Sequence, residues 1–400
     1  MNPNLKQLHP YPFEKLAQLK KEVTAPQDKV HIALSIGEPK HTTPDLIHHA
    51  LKKHSDGIAK YPTTKGIPEL RTAISNWISQ RFNIASSDIS ADNQVLPVSG
   101  TREALFSFAQ AVVDSSRSDA LVIMPNPFYQ IYEGAALLAG ATPYFINTTE
   151  QSNYLPDFDS VPDDIWQRCQ LIFICSPGNP TGAVISEREQ IKLINLAEKF
   201  DFIIASDECY TEIFDDEDNP PQGLLETAYN MGNTSFKRCV IFQSLSKRSN
   251  APGLRSGFVA GDADILKSYF QYRTYQGCAQ PLPTQYASIA AWQDETHVTE
   301  NRVLYRQKFN AFIELLAGVC HINKPPASFY IWLKTPIDDE DFAQKLFEQQ
   351  NITVLPGSYL SREAHGINPG KNHVRIALVA PVEECIEAAN RIKHFINTLD

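Results

Sequence analysis

The chain has 400 residues, 42% of them hydrophobic, which is enough for two domains or for one large domain with an appendage. Its 46 acidic and 36 basic residues give a formal net charge of -10, which disfavours nonspecific binding to nucleic acid. No stretch approaches the roughly 18 apolar residues that span a bilayer, and the N-terminal stretch lacks the apolar core of a secretory signal. We therefore expect a cytoplasmic protein.

The seven cysteines are scattered along the chain, and none forms a CxxC pair. This pattern argues against a disulfide framework or a zinc knuckle, so we expect reduced thiols and no metal site. Cys175 and Cys209 lie near motifs described below, but both belong to apolar runs. Packing roles are therefore favoured over nucleophilic ones.

Short apolar runs alternate with amphipathic stretches between about residues 94 and 261. Helices are predicted at 102–113 and at 186–200, where Ser186 and Glu189 have capping-box spacing. Nearly continuous apolar strands joined by helices predict a mostly parallel sheet covered on both faces, with ligands bound at the carboxyl ends of its strands. The predicted strands are 94–98, 120–124, 141–147, 171–175, 202–206, 239–242 and 257–261.

The pattern changes after about residue 300, where a smaller α/β domain is predicted. Its strands are SFYIWL (328–333), NITVL (351–355) and HVRIALV (373–379), and its helices are 339–350 and 381–397, the second with apolar positions 382, 386, 389, 392 and 396. The acidic, proline-rich stretch 214–223 is predicted to be a surface loop.

We divide the chain into three parts on these patterns. Residues 46–290 form the predicted large domain, a three-layer αβα sandwich around the mostly parallel sheet, and residues 291–400 form the small domain. Residues 1–45 are predicted to contribute to the small domain and to cover the active site.

Polar groups follow several of the predicted strands. Gly100 and Thr101, at the start of a helix, would let backbone N–H groups approach an anion, although a plain helix cap is the simpler interpretation. Asp207, at the end of a buried strand, could pair with a cationic ring nitrogen, and Tyr210 could donate to a nearby oxygen. The alternative is that Asp207 or Glu208 caps a turn.

The stretch SLSKRSNAPGLRSGFVAGD (244–262) crowds cations and hydroxyls beside apolar strands. Partial burial and the neighbouring cations Arg248 and Arg255 would disfavour the ammonium form of Lys247, which makes its amine a nucleophile towards carbonyl groups. Ser244, Ser246 and Arg255 would complete a phosphate site. A lysine that condenses with an aldehyde, beside a phosphate clamp and a strand-end aspartate, describes pyridoxal phosphate bound as a Schiff base.

Seven motifs, in register over nearly the full length, resemble the fold-type I pyridoxal-phosphate aminotransferases of the class I/II group. They are YPTTKGIPELR (61–71), SGTREAL (99–105), NPFYQIYEG (126–134), SPGNPTG (176–182), SDECY (206–210), the stretch 244–262 and VRIALV (374–379). The resemblance implies that Lys247 binds the cofactor and shuttles a proton, while Asp207 keeps the pyridine nitrogen protonated. It also implies that Asn179 and Tyr210 contact the phenolic oxygen and that Tyr129 stacks on the ring.

The resemblance further assigns phosphate and substrate contacts. Arg375 would clamp the substrate α-carboxylate, a task suited to a bidentate guanidinium, with help from Gly37 and Asn179. Taken alone, Arg375 could equally be a surface arginine on a strand. The phosphate set is Gly100, Thr101, Arg102, Ser244, Arg255 and, from the neighbouring subunit, Tyr61, so a homodimer with shared active sites is implied.

Residues 1–20, 126–141 and 244–262 carry a closer resemblance, to bacterial succinyldiaminopimelate aminotransferases of lysine biosynthesis. It implies amino-group exchange between N-succinyl-LL-2,6-diaminopimelate and 2-oxoglutarate, which yields glutamate. Because both substrates are polyanionic, we expect further basic or polar groups at the pocket mouth. Aminotransferases of aspartate, aromatic or alanine type stay open, as do a β-lyase or a decarboxylase that uses the same cofactor.

Two other classes are weaker alternatives. The run from Ser244 to Lys247 fits the S-x-x-K of penicillin-binding proteins, but SADN lies upstream, at 90–93, and KTP at 334–336 replaces KTG. A ligand-sensing module without catalysis would carry a basic DNA-binding domain ahead of SIGEP (35–39), where this sequence has only some 30 residues.

Overall fold

The structure is a computed structural model that describes residues 1–399. None of the helices in this range is both long enough and apolar enough to cross a membrane. The strands, in chain order, are β1 (Ile32–Ala33), β2 (Val95–Val98), β3 (Leu121–Asn126), β4 (Thr142–Asn147), β5 (Cys169–Cys175), β6 (Ile203–Asp207), β7 (Cys239–Ser244), β8 (Gly257–Gly261), β9 (Tyr330–Lys334), β10 (Ile352–Thr353), β11 (Leu355–Pro356) and β12 (His373–Ala377).

The helices alternate with these strands over most of the chain. The α-helices are α1 (Pro12–Lys21), α2 (Asp45–Lys53), α3 (Pro68–Arg81), α4 (Thr101–Val112), α5 (Ile131–Leu138), α6 (Asp163–Arg168), α7 (Glu187–Phe200), α8 (Leu224–Asn230), α9 (Leu245–Arg248), α10 (Ala263–Gln276), α11 (Leu282–Trp292), α12 (Thr296–Leu316), α13 (Asp339–Gln350) and α14 (Val382–Ile396). Short 3₁₀ helices span Pro3–Gln7, Ser55–Ala59, Glu150–Ser152, Phe158–Ser160, Pro252–Leu254 and Gly357–Leu360.

The large sheet has seven strands in the order β2-β8-β7-β6-β5-β3-β4. Strands β3 to β7 pair in parallel, whereas β8 is antiparallel to both of its neighbours, β7 and β2. The predicted mostly parallel sheet is therefore confirmed. Because β8 runs in the opposite direction, its first residues lie at the same edge as the carboxyl ends of β2, β5, β6 and β7.

Helices cover both faces of this sheet, as the continuous apolar strands predict. Along β5, Ile172 and Ile174 pack against one helical layer, while Leu171 and Phe173 pack against the other. The first layer includes α3, α7, α8 and α11, and the second includes α4, α5 and α10. The predicted cap of α7 is present, since Ser186 Oγ accepts the Glu189 N–H at 3.4 Å.

The second part of the fold contains two small sheets that pack on α12, α13 and α14. One sheet has the antiparallel order β11-β12-β9, and the other pairs β1 with β10 in parallel. The prediction of one strand over NITVL is wrong, because Ile352–Thr353 pairs with β1 and Leu355–Pro356 pairs with β12. The N-terminal segment thus enters the small-sheet region, while the predicted boundaries of the three domains stay a prediction.

The buried face of α14 differs in part from the predicted apolar positions. Cys385, Ala388, Ala389, Ile392 and Phe395 are buried, whereas Ile386 is 36% exposed. The smaller cysteine and alanine side chains face the neighbouring helix α12, because they allow the two helices to approach closely. The predicted positions therefore include the buried Ala389 and Ile392 but omit Cys385, Ala388 and Phe395.

The predicted surface loop 214–223 is exposed in its middle and fixed at both ends. Phe214 and Pro221 are buried, and residues 216–220 are exposed. Glu217, within the exposed part, forms ion pairs with Arg302 at 2.9 Å and with Arg306 at 2.7 Å. These contacts hold the loop against α12.

Candidate active site

A cavity of about 420 Å³ opens at the carboxyl edge of the large sheet and extends to the small sheets. Most of the side chains predicted for the site line it, although they come from distant parts of the chain. These are Gly37, Thr101, Arg102, Tyr129, Asn179, Asp207, Tyr210, Ser244, Lys247, Arg255 and Arg375.

Lys247 projects into this cavity from α9, a single helical turn directly after β7. Its amine contacts the carbonyl oxygen of Gly37. Burial is the main cause that lowers the pKa of the amine to about 8, and the positive charges of Arg375 and Arg102 contribute in the same direction. Among the cations, Arg375 and Arg102 have the largest effect, rather than Arg248 and Arg255, the sequence neighbours for which it was expected.

Asp207 lies at the end of β6 and is 4% exposed. Its carboxylate accepts hydrogen bonds from the Tyr132 hydroxyl at 2.7 Å and from the Cys209 N–H at 3.3 Å. Burial raises its pKa, and no ion pair to it occurs within residues 1–399. A cationic ring nitrogen in the cavity would supply the charge that this buried carboxylate lacks.

Both acidic residues at the end of β6 make a capping contact, Asp207 to the Cys209 N–H and Glu208 to the start of α8. The Glu208 carboxylate accepts the N–H of Leu224, the first residue of α8, at 2.8 Å and the Ser206 hydroxyl at 3.0 Å. Burial raises its pKa to about 7. Glu208 thus joins the end of β6 to the start of α8, while Asp207 lines the cavity.

One end of the cavity has the character of a phosphate site. Gly100 precedes α4 with a φ of 87°, no side chain caps the first N–H groups of that helix, and its first two residues, Thr101 and Arg102, line the cavity. The guanidinium of Arg255 lies directly over Gly100, and the side chains of Ser244 and Ser246 line the same region. Arg255 reaches this edge because it precedes the antiparallel strand β8.

Replacing Gly100 with alanine is expected to weaken cofactor binding by about 10-fold or more. A Cβ at this position would lie 2.8 Å from Arg255 Cζ, and the φ of 87° strains any residue with a side chain. The dissociation constant of pyridoxal phosphate, measured by fluorescence quenching of the apoprotein, checks this. Gly232→Ala is the control, since its Cβ would meet nothing within 4 Å at a similar φ of 85°. Equal effects of the two substitutions would contradict the proposed phosphate site.

Arg375, on β12, is 5% exposed, so the alternative of a surface arginine is wrong. One Nη donates to Asn179 Oδ1 at 2.9 Å, and the other donates to the Ser35 carbonyl at 2.7 Å. Its Nε is buried and has no hydrogen-bond partner in the part of the chain that the structure describes. The guanidinium therefore retains N–H groups for a carboxylate.

Tyr330 also lines the cavity, and the sequence analysis did not identify it. Its hydroxyl lies 3.1 Å from that of Tyr210, its ring lies 4.4 Å from the Arg375 guanidinium, and burial raises the pKa of both tyrosines. A Cβ on Gly37 would lie 2.8 Å from Tyr330 Cζ, so glycine is required there. No motif pointed to Tyr330, which occurs in an ordinary apolar strand.

The mouth of the cavity is formed by aromatic residues and Arg102. The Arg102 guanidinium donates to the hydroxyls of Tyr129 at 2.7 Å and Tyr11 at 3.0 Å. Tyr11, Pro12 and Phe13 bring the N-terminal segment onto the cavity. The sequence predicted only that the N-terminal segment covers the active site. The aromatic run PYPF (10–13) was a signal that could have pointed to Tyr11. Tyr61 does not line the cavity and is fully exposed.

Comparison with known proteins decides the family. A sequence model described as aminotransferase class I and II matches residues 29–392. The chain belongs to the class I and II aminotransferases. The LL-diaminopimelate aminotransferase of Syntrophobacter fumaroxidans is 33% identical over 396 residues, which cover 97% of each chain.

Solved aminotransferase structures match the fold closely. An aminotransferase from Neisseria meningitidis is 48% identical, with a TM-score of 0.94 over 99% of this chain and 100% of that one. The aminotransferase AspB from Helicobacter pylori is 36% identical, with a TM-score of 0.90 over 98% of this chain and 99% of that one. The predicted fold-type I architecture is confirmed, and the penicillin-binding interpretation of Ser244 to Lys247 is wrong.

The protein is thus a transaminase, and its cofactor is pyridoxal 5'-phosphate. The residues of the cavity fit this group. They offer an amine with a lowered pKa at Lys247, a buried carboxylate without a counter-charge at Asp207, and an anion pocket at Gly100 and Arg255.

Proposed function

We propose that this aminotransferase exchanges an amino group between N-succinyl-LL-2,6-diaminopimelate and 2-oxoglutarate. The observation that carries the proposal is the Arg102 guanidinium at the mouth of the cavity, a cation that remains once Lys247 and Arg255 are assigned to the cofactor and Arg375 to the substrate α-carboxylate. A positive charge in this place suits a substrate with a further carboxylate. The sequence resemblance to succinyldiaminopimelate aminotransferases supports the succinylated substrate.

LL-2,6-diaminopimelate without the succinyl group is the second candidate substrate. The relative from Syntrophobacter fumaroxidans is named LL-diaminopimelate aminotransferase, and so is one from Aquifex aeolicus that is 32% identical over 396 residues, covering 98% of this chain and 97% of the relative. Both candidates share the reacting amino acid end and differ in the charge of the distal end. The succinyl group replaces a distal ammonium with an amide and adds a carboxylate.

In the proposed reaction the protein residues orient the substrate and move one proton. Bound pyridoxal phosphate supplies an electron-withdrawing ring that stabilises negative charge developing at the substrate Cα. Asp207 would keep a proton on the ring nitrogen, because a buried carboxylate favours a cation beside it. Arg375 would hold the α-carboxylate through paired N–H groups, and the amine of Lys247 would carry the proton between the substrate Cα and the cofactor C4′.

Arg102 is the cation that we expect to face the distal end of the substrate. Its backbone N–H at the start of α4 would contact the phosphate, as predicted, while its guanidinium lies at the mouth with Tyr11 and Tyr129. Both tyrosine hydroxyls accept its N–H groups, so the guanidinium has no carboxylate partner within the described residues. This arrangement supports a substrate with a second acidic group.

A panel of amino donors with 2-oxoglutarate tests the substrate. We expect kcat/KM for N-succinyl-LL-2,6-diaminopimelate to exceed that for aspartate, phenylalanine and alanine by about 10²-fold or more. Faster turnover of LL-2,6-diaminopimelate would favour the second candidate, and faster turnover of aspartate or phenylalanine would refute both. Loss of the visible absorbance of the cofactor upon addition of glutamate, with one equivalent of 2-oxoglutarate formed, would show amino-group transfer, which a β-lyase reaction does not include.

We also propose a homodimer in which Tyr61 reaches the cofactor phosphate of the neighbouring subunit. Its complete exposure in one chain supports this, together with the exposed side chain of Arg255 at the phosphate end of the cavity. We expect a dimer in sedimentation velocity across the range of concentrations at which the enzyme is active. A concentration-independent monomer with full activity would contradict the shared site.

A further inference from the structure

Arg248 directly follows Lys247 but points away from the cavity. It is 1% exposed, and its guanidinium packs against the rings of Trp77 and Trp292, at 5.6 Å and 4.9 Å from their centroids. One Nη donates to the Ala291 carbonyl at 2.7 Å, and the other contacts the Glu295 carboxylate. The side chain therefore anchors the single turn of α9 to the end of α11.

The next two residues are anchored to the same region. Ser249 Oγ lies 2.9 Å from His297 Nε2, on α12. Asn250 Nδ2 donates to Asn301 Oδ1 at 3.0 Å, and the Asn250 carbonyl accepts the Thr43 hydroxyl at 2.6 Å. Three successive side chains after Lys247 are thus held by α11 and α12, or by the loop between them.

Asn301 joins these contacts to the backbone of Lys247 itself. Its Nδ2 lies 3.3 Å from the Lys247 carbonyl and 3.5 Å from the Arg248 carbonyl, and it donates towards both. Its Oδ1 accepts from Asn250 and lies 2.7 Å from His41 Nδ1. Asn301 is 2% exposed, so these bonds are formed away from water, where they are strong and costly to lose.

We propose that this polar frame, formed by Arg248, Ser249, Asn250, Glu295, His297 and Asn301, fixes the backbone of Lys247 for proton transfer. Lysine has a long, flexible side chain, so the reach of its amine depends on where the backbone holds its Cα. A displacement of about 1 Å in a reacting group can cost about 10²-fold in rate. Arg248 and Asn301 are positioning residues in this account, which rests on the proposed role of Lys247.

Two substitutions test the frame. Arg248→Lys keeps the positive charge beside Glu295. It removes the second guanidinium nitrogen, which donates to the Ala291 carbonyl. Asn301→Ala removes the link to the Lys247 backbone and suits a helix interior, so it gives a second variant if the first does not fold. The control is Arg302→Lys, next to Asn301 on α12, where a buried arginine binds both oxygens of Glu217 at 3.0 and 2.9 Å.

Three measurements distinguish positioning from general stabilisation. The first is kcat and KM of the holoenzyme with glutamate and 2-oxoglutarate, and the second is the thermal midpoint of unfolding. The third uses the cofactor-free protein: the pH dependence of acetylation of the Lys247 amine, quantified by peptide mass spectrometry. This third measurement reports the pKa of the amine without reference to activity.

We expect both frame variants to lower kcat by about 10-fold while KM changes by less than about 2-fold. The midpoint for acetylation of Lys247 should move upward from about 8, because a displaced amine gains contact with water. Arg302→Lys should lower the thermal midpoint of unfolding by an amount comparable to the frame variants. It should change neither kcat nor the midpoint for acetylation of Lys247. Unchanged kcat and midpoint in whichever frame variants fold, or equal changes in the control, would overturn the inference. Full activity of Lys247→Ala would instead refute the proposed function.

Discussion

Substitution of Lys247 by alanine is expected to reduce transamination by about 10⁴-fold or more at saturating cofactor and substrate. The amine both holds the cofactor and carries the proton in the proposed reaction, and no other lysine side chain among residues 1–399 lines the cavity. The measurement is kcat for glutamate and 2-oxoglutarate, together with the visible absorbance of the purified protein. Both the turnover and the absorbance should disappear.

Lys308 provides a matched control for this experiment. It is also buried, at 2% exposure, and burial lowers its pKa to about 8 as well. Its amine donates to the Val379 carbonyl at 3.2 Å and does not face the cavity. Lys308→Met should therefore keep the absorbance and the turnover. Activity in Lys247→Ala, or its loss in Lys308→Met at normal stability, would contradict the assignment of the nucleophile.

Substitution of Arg375 by lysine is expected to raise KM for both substrates by about 10- to 100-fold, with a smaller change in kcat. A lysine keeps the positive charge, but it cannot offer paired N–H groups to a carboxylate and also bond Asn179 and Ser35. Lost charge-assisted hydrogen bonds of about 1.5–3 kcal/mol account for an effect of this size. Steady-state kinetics with glutamate and with 2-oxoglutarate provide the measurement.

The control for this substitution is Arg362→Lys. Arg362 binds both oxygens of Glu133, and its side chain is 16% exposed, but it does not line the cavity. Its replacement should leave KM within about 2-fold of the wild-type value. If Arg375→Lys kept the wild-type KM for both substrates, the α-carboxylate would have to be bound elsewhere.

The strands of the large sheet were predictable because burial on both faces leaves a plain signal. Runs such as LIFIC, at 171–175, place apolar side chains alternately in the two helical layers. The small sheets were harder to predict, since the choice between partners for 351–355 depends on β1, more than 300 residues earlier. The preference of these residues for strand conformation does not show that a single apolar run pairs with two different sheets.

The strand-end residues of the site were predictable for a similar reason. Asn179, Asp207 and Lys247 follow parallel neighbouring strands, so their meeting at one edge follows from the topology. Arg248 shows the limit of this reasoning, because adjacent residues in a helical turn point in different directions. Tyr11 and Tyr330 were missed because neither lies in one of the seven motifs, although both line the cavity.

The most direct test of the account is the location of the bond between protein and cofactor. The holoenzyme is reduced with borohydride and digested, and its peptides are analysed by mass spectrometry. The account predicts a single pyridoxyl phosphate adduct, on the peptide that contains Lys247. An adduct on a different lysine, or none in an enzyme that still transaminates, would contradict it.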